Sequence, residues 1–266
     1  MQLLLKRILI ENGVDFMENI HREFFKVKFY DTDFTSKVKL FSLINYMQET
    51  SEQHSNSIGI GYNHLISEGL FWVVSRLEVN MIKYPKNMDE IIMETWPSGI
   101  DKLFFKRNFR ILDANENELG NIIAYYLLLD VNSKFPQRPT RISLGVNSIE
   151  NRFGVEKKLD KIKMPNDLVG NVERVVTYSD IDLNMHVNNA KYISWVEDVF
   201  NLEDYKNKRI ASLQLNFMKE AKYGDEVILN KYVDKEAFNT YYIEGLEKET
   251  KTQLFQCKVT FIEEQL

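Results

Sequence analysis

Short apolar runs of alternating period dominate this chain, and two stretches of helical period interrupt them. Residues 24–29, "FFKVKF", alternate as a half-buried strand does, whereas "LFSLINYMQETSEQ", residues 40–53, has the spacing of an amphipathic helix. "FWVVSRLEVNMI", "EIIMETW", "LFFKRNFRIL" and "NIIAYYLLLD" follow, rich in β-branched and aromatic residues, and they predict four strands with a turn at "DANENELG" between the last two. The order then recurs. "RVVTY" predicts a strand, residues 188–201 a helix, and "ASLQLNFM", "EVILNKYV", "NTYYIEGL" and "TQLFQCKVTFI" four more strands.

The recurrence extends to single residues. At an offset of 149, Asp31 falls on Asp180, Asp33 on Asp182, Val38 on Val187 and Ile44 on Ile193 without a gap. At an offset of 136, "LEVNMIKYPKNMDEI" lies over "LQLNFMKEAKYGDEV". The difference between the offsets, 13, measures extra chain in or near "SEQHSNSIGIGYNHLISEG" of the first half. Two copies of one unit account for both matches. Residues 132–170 hold Pro136, Pro139 and Pro165, three of the five prolines, and the lysine-rich "EKKLDKIKMP", which reads as a linker over the surface. The expected organisation is a leader at 1–21, a first unit at 22–131, that linker, and a second unit at 171–266. A helix followed by an antiparallel meander, twice over, predicts an α+β chain with a tandem, or double, hotdog: two antiparallel sheets, each wrapped around a long helix.

Composition narrows the functional classes. The chain has 266 residues, 44% hydrophobic, with 17 Phe and 13 Tyr, enough for a large core and against disorder. A net charge of −5 argues against holding nucleic acid by bulk phosphate attraction. Lys6 and Arg7 interrupt the apolar start "MQLLLKRILI", so neither a signal peptide nor a membrane span is expected, and Met17 is a candidate start. The single cysteine, Cys257, sits on the apolar side of an alternating run and reads as a core thiol. With no second cysteine for an internal disulfide, a reducing cytoplasm is the expected compartment. His54 and His64 lack carboxylate or thiol partners in sequence, and no metal site is expected.

"YSDIDLNMHVNNAKYISWVEDVF", residues 178–200, gathers aspartates, asparagines and a histidine just before a helix. Asp182 or Asn188 could serve only as a helix cap. The repeat bears on that reading, because the first unit keeps Asp33 opposite Asp182 but has Thr35, Lys37 and Tyr84 opposite Asn184, His186 and Glu220. An amide, an imidazole and a carboxylate therefore belong to one unit alone.

"SDIDLNMHVNNAKYISWVED" and "GLFWVVSRLEVNMIKYPKNMDEIIMETWPSG" resemble the acyl-ACP thioesterases, bacterial relatives of the plant enzymes that end fatty acid synthesis, over about residues 22–262. The resemblance implies two hotdog units and hydrolysis of the thioester that joins a fatty acyl group to the phosphopantetheine arm of acyl carrier protein, without a cofactor. It carries the catalytic motif onto Asp182, Asn184 and His186, and a further catalytic carboxylate onto Glu220. The plant pattern has a cysteine after that glutamate; here Ala221 stands in its place, which excludes a cysteine nucleophile there. The chemistry fits. A carboxylate and an imidazole can polarise water, and backbone N–H groups of Val187, Asn188 and Asn189 at the helix start can face the oxygen that becomes negative.

Ile44, Met47, Phe71, Trp72 and Met81 of the first unit are candidates for an acyl channel, with ordinary core as the alternative for each. Lys102, Lys106, Arg107, Arg110, Arg138 and Arg141, with Lys157 and Lys158, are candidates for docking the acidic carrier, with a solvated face as the alternative. The expected partner is acyl carrier protein, with no nucleic acid and no membrane span; a homodimer is left open. A hotdog acyl-CoA thioesterase and a non-catalytic acyl sensor stand as the competing readings.

Overall fold

The structure is a computed structural model that describes residues 20–142 and 158–264. The predicted leader up to residue 19, and Lys157, lie outside the described residues. The first half has strand β1 (His21–Lys26), helix α1 (Leu40–Ser57), a short helix α2 (Tyr62–Ser67) and strands β2 (Leu70–Met81), β3 (Glu90–Asp101), β4 (Phe104–Asp113) and β5 (Glu118–Asp130). The second has β6 (Asp167–Val175), α3 (Asn189–Glu197), β7 (Lys208–Phe217), β8 (Glu226–Val233), β9 (Thr240–Glu247) and β10 (Gln253–Glu263). The extra chain of the first half lengthens α1 and adds α2. Strand β6 begins at Asp167, inside the stretch read as linker, and pairs antiparallel with β8.

Each half is a five-stranded antiparallel sheet around its own helix, and the molecule is a tandem hotdog. The two sheets do not stand apart. Strand β2 pairs with β7, from Arg76 opposite Asn216 to Asn80 opposite Ser212, and joins them into one ten-stranded sheet ordered β1-β3-β4-β5-β2-β7-β10-β9-β8-β6. Both joining strands would otherwise present unpaired backbone groups as sheet edges. The side chains at the seam are apolar toward the helices: Leu77, Val79, Leu213 and Leu215 are fully buried.

The helices form because their apolar positions recur on one face. Helix α1 buries Leu40, Leu43, Ile44 and Met47, and α3 buries Ala190, Tyr192, Ile193, Trp195 and Val196. The two helices pack on each other as well as on the sheet, so one continuous core spans both halves. At Gly245 a Cβ would come 2.2 Å from the Phe255 ring, so this strand position admits only glycine if the ring keeps its place. On the outer face, the chain at 159–160 crosses the seam: Arg76 donates to the Leu159 carbonyl, and Gln214 and Asn216 donate to that of Asp160.

Candidate active site

The segment after β6 folds into a tight turn for local reasons. Asp182 N–H donates to the His186 carbonyl at 2.9 Å, and the Asp182 carboxylate accepts from Asn184 N–H at 2.8 Å. Met185 closes the turn in the left-handed region, at φ +62°. The first half makes the same turn: Asp33 N–H donates to Lys37 at 2.8 Å, Asp33 accepts from Thr35 N–H at 2.7 Å, and Ser36 also has φ +62°. The shared aspartate is therefore a turn-former in both halves, with a role in helix capping in neither. What the second turn adds is aim. His186 Nε2 lies 3.1 Å from the Glu220 carboxylate, with His186 22% and Glu220 46% exposed.

Glu220 is held through its neighbour. Ala221 accepts from Val187 N–H at 3.1 Å and donates its own N–H to the Tyr192 hydroxyl at 2.9 Å. The first half shows why the tyrosine is needed: Pro85, opposite Ala221, has no N–H, and Leu43 stands opposite Tyr192. Burial pushes the Tyr192 hydroxyl well above its ordinary pKa, so it stays a neutral hydrogen-bonding group.

At the start of α3 the backbone donors are mostly spent. Val187 N–H is bonded to Ala221, Asn188 N–H donates to the Asp180 carbonyl at 2.9 Å, and Asn188 Oδ1 caps Ala190 N–H at 2.8 Å. Two of the three expected oxyanion donors, Val187 and Asn188, are therefore occupied. Asn189 N–H has no hydrogen-bond partner among the described residues.

These groups open on a cleft of about 570 Å³ between the halves. Asp182, Asn184, His186, Asn189, Tyr192 and Glu220 line one wall. Phe71, Trp72, Val73, Val74, Leu127 and Leu129 of β2 and β5 form an apolar wall opposite. Lys134, Lys219 and Lys222, all exposed, stand among the lining residues, and none of them has a carboxylate within ion-pair distance among the described residues.

The model of the acyl-ACP thioesterase N-terminal domain matches residues 18–143, and that of the C-terminal domain matches residues 170–262. The chain belongs to the acyl-ACP thioesterase family. A crystal structure of an acyl-ACP thioesterase from Bacteroides thetaiotaomicron is similar with a TM-score of 0.82 and 26% identity, covering 91% of this chain and 98% of that one. The 12:0-ACP thioesterase from Umbellularia californica shares the fold, with a TM-score of 0.82 at 20% identity over 92% of this chain and 94% of that one. The chloroplastic palmitoyl-acyl carrier protein thioesterase of Gossypium hirsutum is 24% identical over 228 residues, 80% of this chain and 53% of the relative. The chain thus spans about half the length of that curated relative.

In this thioesterase-family chain the first half carries a counterpart of the cleft that is filled. By strand pairing, Val73 and Leu129 of the open cleft correspond to Arg209 and Glu264. Arg209 lies 3.6 Å from Asp33 and 3.4 Å from Glu264, and it also donates to Thr35; Glu264 takes the Lys37 ammonium. Tyr84, opposite Glu220, is buried and donates to the Ile210 carbonyl at 2.8 Å. An ion-paired cluster thus occupies the space that stays open beside His186.

Other expected site residues lie elsewhere. Phe71 and Trp72 line the cleft, but Ile44, Met47 and Met81 are buried in the main core and do not. Arg107 is no docking residue: it is 7% exposed, and its Nη1 lies 2.7 Å from Nδ1 of buried His54. Arg110 is bound by Glu94 at 2.6 and 2.8 Å. Lys102, Arg138, Arg141 and Lys158 are exposed and Lys106 is half-buried, but none lines the cleft. Sequence reasoning missed Tyr192 and the three rim lysines; only Tyr192 had a signal, its pairing with Leu43 in the repeat. Cys257 is fully buried, and burial pushes its thiol well above the usual range. Among the described residues, no cluster of three or more His, Cys, Asp or Glu side chains could hold a metal ion, and no helix is long and apolar enough to cross a membrane.

Proposed function

We propose that the protein hydrolyses fatty acyl-ACP to free fatty acid and ACP, with catalysis in the second half. The observation that carries this reading is the His186–Glu220 pair at 3.1 Å, open to a cleft whose opposite wall is apolar. In the reaction, a water held by His186 and the Asn184 amide attacks the thioester carbon. The imidazole takes the water's proton, and the Glu220 carboxylate stabilises the imidazolium that forms. The carbonyl oxygen, negative in the tetrahedral intermediate, receives the Asn189 N–H at the positive end of α3. As the intermediate collapses, the C–S bond breaks and the imidazolium returns its proton to the pantetheine sulfur, leaving a fatty acid and a thiol.

The apolar wall, Phe71 and Trp72 included, suits an acyl chain. The rim lysines Lys134, Lys219 and Lys222 suit the phosphate of the prosthetic arm and an acidic carrier surface. Against the acyl-sensor reading stands the His186–Glu220 pair, which a binding protein would not need. The lone buried Cys257 fits a reducing compartment, and the cytoplasm is the location we propose. The test is release of fatty acid from a panel of acyl-ACPs beside matched acyl-CoAs. Faster turnover of the ACP substrates, lost in His186→Ala, is the expected result. Equal or faster turnover of the CoA esters would replace the carrier with a nucleotide, and no release from either would refute hydrolysis.

A further inference from the structure

The two halves treat the starts of their helices in opposite ways. At α1, the N–H groups of Leu40 and Phe41 donate to the two carboxylate oxygens of Glu197, at 2.9 and 3.2 Å. Glu197 belongs to the last turn of α3, so this cap comes from the other half of the molecule, while the side chain of Lys39 at the N-cap position does not cap the helix. The offset of 149 that aligns the halves places Gln48 of α1 opposite Glu197, and Leu40 and Phe41 opposite Asn189 and Ala190. Gln48 accordingly reaches across to the start of α3. It stops short of the backbone: its Nε2 donates to Asn188 Oδ1 at 3.1 Å, and its Oε1 lies 3.5 Å from Asn189 Nδ2.

The exchange of an amide for a carboxylate accounts for the difference. A carboxylate offers only acceptors, and the positive end of a helix attracts its charge, so Glu197 takes both leading N–H groups of α1. An amide has one acceptor and two donors: the Gln48 donors turn to the Asn188 cap and its oxygen toward the Asn189 side chain, so neither leading N–H of α3 is taken by Gln48. That cap satisfies Ala190 N–H and leaves Asn189 N–H unpartnered among the described residues, in a residue that lines the catalytic cleft. Burial raises the Glu197 carboxyl to about 7, against the pull of its two backbone donors.

We propose that Gln48 is a positioning residue of the hydrolase: it steadies the Asn188 cap without occupying the helix end, and so keeps Asn189 N–H open to the thioester oxygen. Glu197, its counterpart, closes the end of α1. The assignment rests on the hydrolytic reading above. It adds that the catalytic helix start depends on a side chain from the half without the catalytic residues.

The experiment uses the full chain with Gln48→Glu, Gln48→Met and Glu197→Gln, measuring kcat and KM on the best acyl-ACP, melting temperature, and hydrogen exchange at the first amides of α3. Gln48→Glu should lower kcat roughly 100-fold, the scale of one lost oxyanion donor, with KM within about twofold. Exchange at Asn189 should slow in the same variant, because the introduced carboxylate accepts its N–H. Gln48→Met, which brings no carboxylate, should lose about tenfold or less and leave that exchange fast. Glu197→Gln should lower the melting temperature and keep kcat within about twofold. Unchanged exchange in Gln48→Glu, kcat near that of the unsubstituted chain, or equal losses in Gln48→Glu and Gln48→Met would each overturn the assignment. Should the unsubstituted chain release no acid from any acyl-ACP, the proposed function falls, and the exchange at Asn189 decides the role of Gln48 by itself.

Discussion

Glu220→Gln preserves the size of the side chain that faces His186 and removes its charge. At the 3.1 Å separation of the pair, Coulomb's law gives about 1.3 kcal/mol for imidazolium and carboxylate in a water-like dielectric of about 80, and about 2.7 kcal/mol at about 40. With Glu220 46% and His186 22% exposed, the effective medium lies toward the watery end, so the lower figure weighs more. Since about 1.4 kcal/mol is a factor of ten, the chemical step should slow roughly 10- to 100-fold. KM should change little, because the interaction reaches full strength only as the imidazolium forms. His186→Ala, which removes the proton acceptor, should cost about 100- to 10,000-fold. The double variant should be no slower than His186→Ala, since no imidazolium remains to be stabilised. Single-turnover release of fatty acid from one acyl-ACP, at fixed ionic strength, measures all three. Were Glu220→Gln as slow as His186→Ala and the double variant slower again, the carboxylate would be a base in its own right and the division of roles refuted. A loss under about twofold would remove the pair from the mechanism.

Met47→Trp should destabilise the fold by about 1 to 3 kcal/mol, because Met47 is fully buried in the core rather than on the cleft; a lower melting temperature with an unchanged product profile per folded molecule is expected, and a shift to shorter acids would extend the acyl site to α1. Val73→Phe narrows the apolar wall, and since a pocket discriminates a methylene by about 1 to 3 kcal/mol, the released acids should shift gradually toward shorter chains; uniform loss over all lengths would place Val73 outside the acyl path. His54 supplies a pH test. Burial first, then Arg107 and His21, lower its pKa from 6.5 to about 3. Between those values the unfolded chain binds the proton and the folded chain does not, so the contribution is complete above 6.5 and is lost as pH falls, by up to about 1.4 kcal/mol per pH unit. His54→Gln should flatten the acid side of a plot of melting temperature against pH, and an unchanged slope would contradict the buried neutral imidazole.

Much of this architecture was legible along the chain because its signals are local or internally repeated. Alternation marked nearly every strand, the apolar period marked both long helices, and the repeat exposed Asn184 and His186, at the offset of 149, and Glu220, at the offset of 136, as an asymmetry between otherwise matching halves. The pairing of Leu43 with Tyr192 was equally visible in that repeat, but its meaning depended on the Ala221 N–H that needed an acceptor.

What tertiary structure alone decided were the relations between residues far apart in sequence. Pairing of β2 with β7 merged two sheets into one and put the apolar wall from one half across from the His186 turn of the other. The same pairing set Arg209 and Glu264 into the first half's counterpart, where charge fills the space that Val73 and Leu129 leave open. Arg107 and the candidate channel residues Ile44, Met47 and Met81 are buried away from the cleft, which the sequence does not show for one reason: an alternating pattern tells which side of a strand or helix a residue occupies, but not whether that side meets solvent, a cleft or another helix. Likewise, a helix start advertises free N–H groups in any sequence. Which of them are already taken, at Val187 and Asn188, and which one is left, at Asn189, depended on carbonyls and side chains that folding brought to it.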